Sequence, residues 1–92
     1  MNEGQNIKKS ALKNDSTLRK NRKLILYNDD VNTFDYVIDC LIEVCGHDIV
    51  QAEQCAFIAH YKGKCDVKNG DYKALKTLKD HLVDKGLKAT ID

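Results

Sequence analysis

Four consecutive apolar residues, Leu24-Ile25-Leu26-Tyr27, stop on Asn28, Asp29 and Asp30, and apolar side chains then return with helical spacing. A short unbroken run of this kind reads as a strand, here over 24–28, that is covered on both faces. In the next segment Phe34, Val37, Ile38, Leu41, Val44 and Cys45 form one stripe, Asp35, Asp39 and Glu43 lie opposite, and Gly46 is a natural terminator. Asn32 is the expected N-cap of this helix, with Asp35 three residues later in a capping-box position. A buried strand leading straight into an amphipathic helix restricts the chain to folds that mix sheet and helix.

The remaining punctuation completes that architecture. Asp48 can cap a second helix whose apolar side is Ile49, Ala52, Cys55, Ala56 and Ala59, and Gly63 ends it just after His60 and Tyr61. A short strand over 64–68, centred on Cys65 and Val67, precedes the turn Asn69-Gly70-Asp71. Tyr72, Leu75, Leu78 and Leu82 then recur at helical spacing as far as Gly86, and Leu87, Ala89 and Ile91 alternate with polar residues in a half-exposed final strand. The expectation is an α+β domain in the order strand-helix-helix-strand-helix-strand, with a three-stranded antiparallel sheet and the helices packed on one face. An apolar content of 42% over 92 residues suits one modest core.

Charge divides the chain more sharply than its net value of +1 suggests. Residues 1–23 hold seven Lys or Arg against Glu3 and Asp15, whereas the remainder holds eight against twelve acids. The first 22 residues have few apolar side chains and no sustained period, so they are expected to form a flexible basic arm ahead of a domain over 23–92. No segment approaches the roughly 18 consecutive apolar residues of a bilayer helix, and no apolar run follows the N-terminal charges, so a cytoplasmic, non-membrane protein is expected. Cys40, Cys45, Cys55 and Cys65 contain no C-x-x-C pair and read as small buried hydrophobes. The alternative is a thiol or metal site that recruits His47 or His60. No cofactor is expected, and without a phosphate loop, an activated nucleophile or a metal-binding helix, neither is enzymatic activity.

The acidic corner admits two readings. Asn and Asp are common turn formers because their side chains bond nearby backbone N–H groups, so Asn28-Asp29-Asp30 can be a turn and no more. The same groups can also serve a cation. Ala56, Ala59 and His60 stand at i, i+3 and i+4, giving one face of the second helix two small side chains beside an imidazole. If the corner packs on that face, an amide oxygen, a carboxylate and an imidazole nitrogen converge next to a carbon-lined hollow, which suits an ammonium group carrying a bulky apolar substituent.

"KLILYNDDVNTFDYVIDCL", followed by "AHYKGK" and then "GLKATID", resembles the ClpS family over residues 23–92. Members are adaptors that deliver N-degron proteins to an AAA+ unfoldase-protease, and their fold is shared with the C-terminal domain of the ribosomal stalk protein. The resemblance implies that Asn28, Asp29 and His60 hold the substrate's α-ammonium, with Asp30 in support. It places Asn32, Phe34, Val37, Ala56, Ala59 and Leu87 around the pocket for the first side chain, one that is large and hydrophobic (Leu, Phe, Tyr or Trp). The implied partners are such peptides and the N-terminal domain of a Clp-type unfoldase, with the adaptor monomeric. Departures matter. Asn32-Thr33 stands where the family commonly has Thr-Pro, Phe34 where it has Met, and Ala56 and Ala59 where Met and Val are typical, implying a pocket deeper beside the second helix and narrower at Phe34. On the third helix, Lys73 and Leu78 occupy the places of a Glu and a Lys that often contact the unfoldase. A rival class is a ribosome- or RNA-associated module that uses the basic arm through phosphate neutralisation, but the body lacks a basic groove with interleaved aromatics, which argues against nucleic acid.

Overall fold

The apolar quartet becomes the middle of a sheet. In the computed structural model, which describes residues 22–92, strand β1 (Arg22–Tyr27) lies between β2 (Lys64–Gly70) and β3 (Lys88–Ile91), and both neighbours run antiparallel to it. A middle strand pairs along both edges, which satisfies the backbone donors and acceptors of a segment with no access to water. Leu24 and Leu26 belong to the core cluster, and Ile25, on the other side of the pleat, is only 3% exposed. The expected coverage of both faces is therefore observed. Leu24 pairs with Lys68 but Ile25 with Asp66, which leaves Val67 as the extra residue of a bulge in β2.

Helices α1 (Phe34–Cys45), α2 (Ile49–Lys62) and α3 (Tyr72–Asp84) complete the expected order. Leu41 of α1, Ala52 of α2, and Leu75 and Leu82 of α3 meet Leu24 and Leu26 in one cluster. Asp48 and Asp71 cap α2 and α3, each carboxylate accepting a backbone N–H three residues on at 2.8 Å. The basic arm lies outside the described residues, apart from Arg22, which opens β1, donates to the Asp92 carbonyl at 2.7 Å and stands over the Tyr72 ring. Among the described residues no helix is long and apolar enough to cross a membrane.

Three local expectations require correction. The N-cap of α1 is Thr33, whose hydroxyl accepts the Tyr36 N–H at 3.1 Å, and not Asn32. The Asn32 side chain is instead turned toward Asp29 and Gly86, to which its Nδ2 donates. Asn69 and Gly70 extend β2 and do not form a turn, leaving Asp71 as the boundary. Ile49, expected on the buried side of α2, is 59% exposed in the first turn, while Ala52, Cys55, Ala56 and Ala59 face inward.

Candidate functional site

Beyond Tyr27 the chain is held against the far end of α2. Asn28 donates its N–H to the Gly63 carbonyl at 2.9 Å, and Gly63, at φ 96°, in turn donates to the Ala59 carbonyl at 3.0 Å. A left-handed glycine lets α2 close on itself and still present its carbonyl to the neighbouring segment. The corner after β1 and the last turn of α2, which carries His60, are thereby fastened together.

Asp29 organises the corner from within. Its Oδ1 accepts the N–H groups of Val31 at 3.0 Å and Asn32 at 2.8 Å, and its Oδ2 accepts the Asn32 side-chain amide at 3.0 Å. That amide also donates to the Gly86 carbonyl at 2.9 Å, tying the corner to the turn between α3 and β3. Tyr36 adds a second tie through its hydroxyl to the Lys85 carbonyl at 2.6 Å. Burial pushes the Asp29 carboxyl upward, but the hydrogen bonds from Asn32 and Val31, with the charge of Lys88, prevail and hold it below the ordinary carboxylate value. The acid at the corner therefore makes the turn and also remains an anion beside open space.

That space is a cavity of about 430 Å³ bordered by Asn28, Asp29, Asp30, Asn32, Phe34, Val37, Ala56, Ala59 and His60, together with Leu26 and Tyr27. Asn28, Asp29, Asp30, Asn32 and His60 give it polar groups, and Val37, Ala56, Ala59 and Leu26 give it carbon. The Phe34 ring meets His60 edge-on, with centroids 6.1 Å apart. Ala56 and Ala59 are buried and too small to fill the hollow in front of them. Such a cavity can receive one positive group among acceptors and one apolar side chain beside it.

Two placements depart from the sequence-based expectation. Leu87 is 3% exposed within the core cluster and is not among the residues that border this cavity, because it packs inward just ahead of β3. Leu26 and Tyr27 do border it, although their apolar run reads as core alone. The available signal was their position, since the last residues of a strand face whatever its following corner encloses.

The thiols stand apart from this geometry. Cys40, Cys45 and Cys55 are buried, Cys65 is half-buried, and all four are free. Burial pushes the Cys45 thiol up to about 11 and the Cys55 thiol further still, with neighbouring Cys65 adding to the latter. Among the described residues no three His, Cys, Asp or Glu side chains group as a metal site would require.

A family model described as ATP-dependent Clp protease adaptor protein ClpS matches residues 18–90. The ClpS adapter of Salmonella gallinarum (strain 287/91 / NCTC 13346) is 43% identical to this chain over 42 residues, and that of Escherichia coli O1:K1 / APEC is 40% identical over the same length. Each match takes in 46% of this chain and spans only 40% of the relative's length. The solved structure of Agrobacterium tumefaciens ClpS2 bound to L-phenylalaninamide aligns with a TM-score of 0.70 over 80% of this chain and 96% of that one. At 22% identity this likeness is one of fold.

Proposed function

Since the chain belongs to the ClpS family of adaptors of the ATP-dependent Clp protease, we propose that it binds the free N-terminal residue of N-degron proteins and passes them to a Clp-type unfoldase. One observation carries this reading: a single cavity has Asn28, Asp29 and His60, from two separate segments, beside the apolar side chains of Val37, Ala56 and Ala59. In the proposed complex the α-ammonium donates to the Asn28 amide oxygen, the Asp29 carboxylate and a His60 ring nitrogen. Leu, Phe, Tyr or Trp as the first residue then enters the carbon-lined half. The L-phenylalaninamide bound by the Agrobacterium protein has this combination of amino group and ring.

The energetics favour a free chain end. An α-amino group with pKa of about 7.7 to 8.0 is largely cationic at neutral pH. Each charge-assisted hydrogen bond contributes about 1.5 to 3 kcal/mol, and burying a Leu or Phe side chain about 1.5 to 3 kcal/mol more. Against an association cost of about 4 kcal/mol or more, the upper ends of these ranges leave about 8 kcal/mol, so affinity on the order of micromolar is the upper bound. An internal peptide bond lacks both the charge and the three donors. Capture and release at this strength suit an adaptor that performs no chemistry itself.

The docking face for the unfoldase's N-terminal domain is a further part of the proposal. Of the two α3 positions singled out by resemblance, Lys73 is exposed, whereas Leu78 is partly buried and packed against the core. A contact equivalent to the family's Glu and Lys pair would therefore use different chemistry here.

Fluorescence anisotropy with a labelled Leu-initiated peptide and its N-acetylated twin tests the reading. The free peptide should bind on the order of micromolar, and acetylation should weaken it by at least about 100-fold, because both the charge and the donors go. Equal affinity for the two peptides would overturn the proposal.

A further inference from the structure

A second hollow opens on the other side of Phe34. It lies between α1 and α2, has a volume of about 450 Å³, and is bordered by Phe34, Ile38, Phe57 and Ile58 together with Asp35, Glu53 and Gln54. Phe57 is 55% exposed, Phe34 40% and Ile58 39%. Phe57 is also braced one helical turn on by Tyr61, with ring centroids 4.4 Å apart. Apolar side chains gathered in a concave surface, with two acids and an amide beside them, mark a place where another molecule settles.

Phe34 decides which molecule. Its ring is a wall of both hollows, so a chain whose first residue occupies the first one is already at the edge of the second. An extended chain advances about 3.3 Å per residue. The second to fourth residues of a bound peptide therefore have the reach to cross one phenyl ring. We infer that the groove between α1 and α2 is a subsite for the downstream residues of the same peptide, taking an apolar side chain at the second or third position from segments free of carboxylates. This rests on the N-terminal pocket proposed above and adds to it a preference for an apolar side chain beyond the first residue. Apolar contact rewards Leu, Ile or Phe, while Asp35 and Glu53 repel an acidic neighbour.

The test uses the full chain and two kinds of probe. L-phenylalaninamide fills only the first position, and Phe-initiated peptides with Gly, Leu or Asp at positions two and three extend beyond it. Leu at one of these positions should tighten binding about fivefold or more over Gly, and Asp should weaken it. Phe57→Ser and Ile58→Ser should each remove the advantage of Leu while leaving competition by L-phenylalaninamide within about twofold, since both side chains lie outside the first cavity. No gain from Leu at either position, or a gain that survives both substitutions, overturns the subsite. So does sedimentation showing that Phe57→Ser converts a dimer to a monomer, which would assign the face to a second copy of the chain. If L-phenylalaninamide fails to compete with a Phe-initiated peptide at all, the N-terminal pocket is itself refuted and the subsite falls with it.

Discussion

The two ends of α2 each carry a histidine and a left-handed glycine, yet their surroundings are opposite. Before its first turn, His47 is 6% exposed and donates through Nε2 to the Val67 carbonyl at 3.0 Å, the carbonyl of the bulged residue in β2. Its Nδ1 is buried without a partner. In the last turn, His60 is exposed, meets the edges of Phe34 and Tyr61, and borders the cavity. One imidazole is enclosed as a structural pin, and the other faces open space. The residue type alone does not make a binding group; whether its hydrogen-bonding capacity points into protein or into a cavity does.

Substitutions can break this contrast most directly at the open end. His60→Ala and Asp29→Asn should each lower affinity for a Leu-initiated peptide by about 10- to 100-fold through loss of a charge-assisted hydrogen bond, measured by anisotropy. For His60→Ala, thermal melting should hardly move. The closed end should behave in reverse. His47→Ala removes a buried ring and leaves the Val67 carbonyl unpaired, so urea denaturation should report destabilisation of about 2 kcal/mol. The folded fraction should bind peptide normally. If His47→Ala weakens binding in protein that remains folded, or if His60→Ala unfolds the chain, the division between pin and ligand-facing group is wrong.

The glycines sharpen the same comparison at smaller magnitude. Gly46 ends α1 at φ 71° and Gly63 ends α2 at φ 96°, and a Cβ added to either would meet nothing within 4 Å. Alanine therefore costs only backbone strain at both, about 1 to 2 kcal/mol of stability. The consequences differ because the Gly63 carbonyl accepts from Asn28. Gly63→Ala should also weaken peptide binding severalfold as the corner shifts, whereas Gly46→Ala should change melting alone. Equal binding by both variants would mean that the bond between Asn28 and Gly63 does not set the site.

Much of this was legible in local sequence because the relevant forces are local. The alternation from apolar strand to helical stripe, the caps at Asp48 and Asp71, and the terminators at Gly46 and Gly63 each depend on neighbours within a few residues. Asn28, Asp29 and His60 were also readable as candidates, since acceptors at a strand's end and an imidazole beside two alanines have a chemistry of their own. What escaped depends on distant partners. Asn32 looked like a helix cap, but the Gly86 carbonyl, 54 residues away, takes one of its amide hydrogens and leaves Thr33 as the cap. Leu87 has an apolar side chain appropriate to a pocket wall, and only the packing of the last strand decides that it faces the core. The groove beside Phe57 was equally hidden, because the spacing on α2 identifies its inward alanines and says nothing of what α1 leaves uncovered next to them.

The smallest expected effect concerns acidity, and its sign follows from Asp29. Hydrogen bonds from Asn32 and Val31 outweigh the upward push of burial and depress this carboxyl in the folded state. A depressed folded value means that its contribution to stability is fully present above the unfolded value of 3.8 and is lost as pH falls through the lower folded value. From about pH 5 to 7 this group should therefore add no slope to stability, and peptide binding should not decline through protonation of Asp29. Above about pH 8 affinity should fall as the peptide's α-amino group gives up its proton. Anisotropy titrations with a Leu-initiated peptide, set beside an NMR titration of the free peptide's own α-amino group, identify the proton that is lost. The alkaline decline should begin where that amino group titrates, because the proposed site needs its charge together with its donors. A decline that starts well away from the amino group's own pKa would place the titrating group on the protein instead.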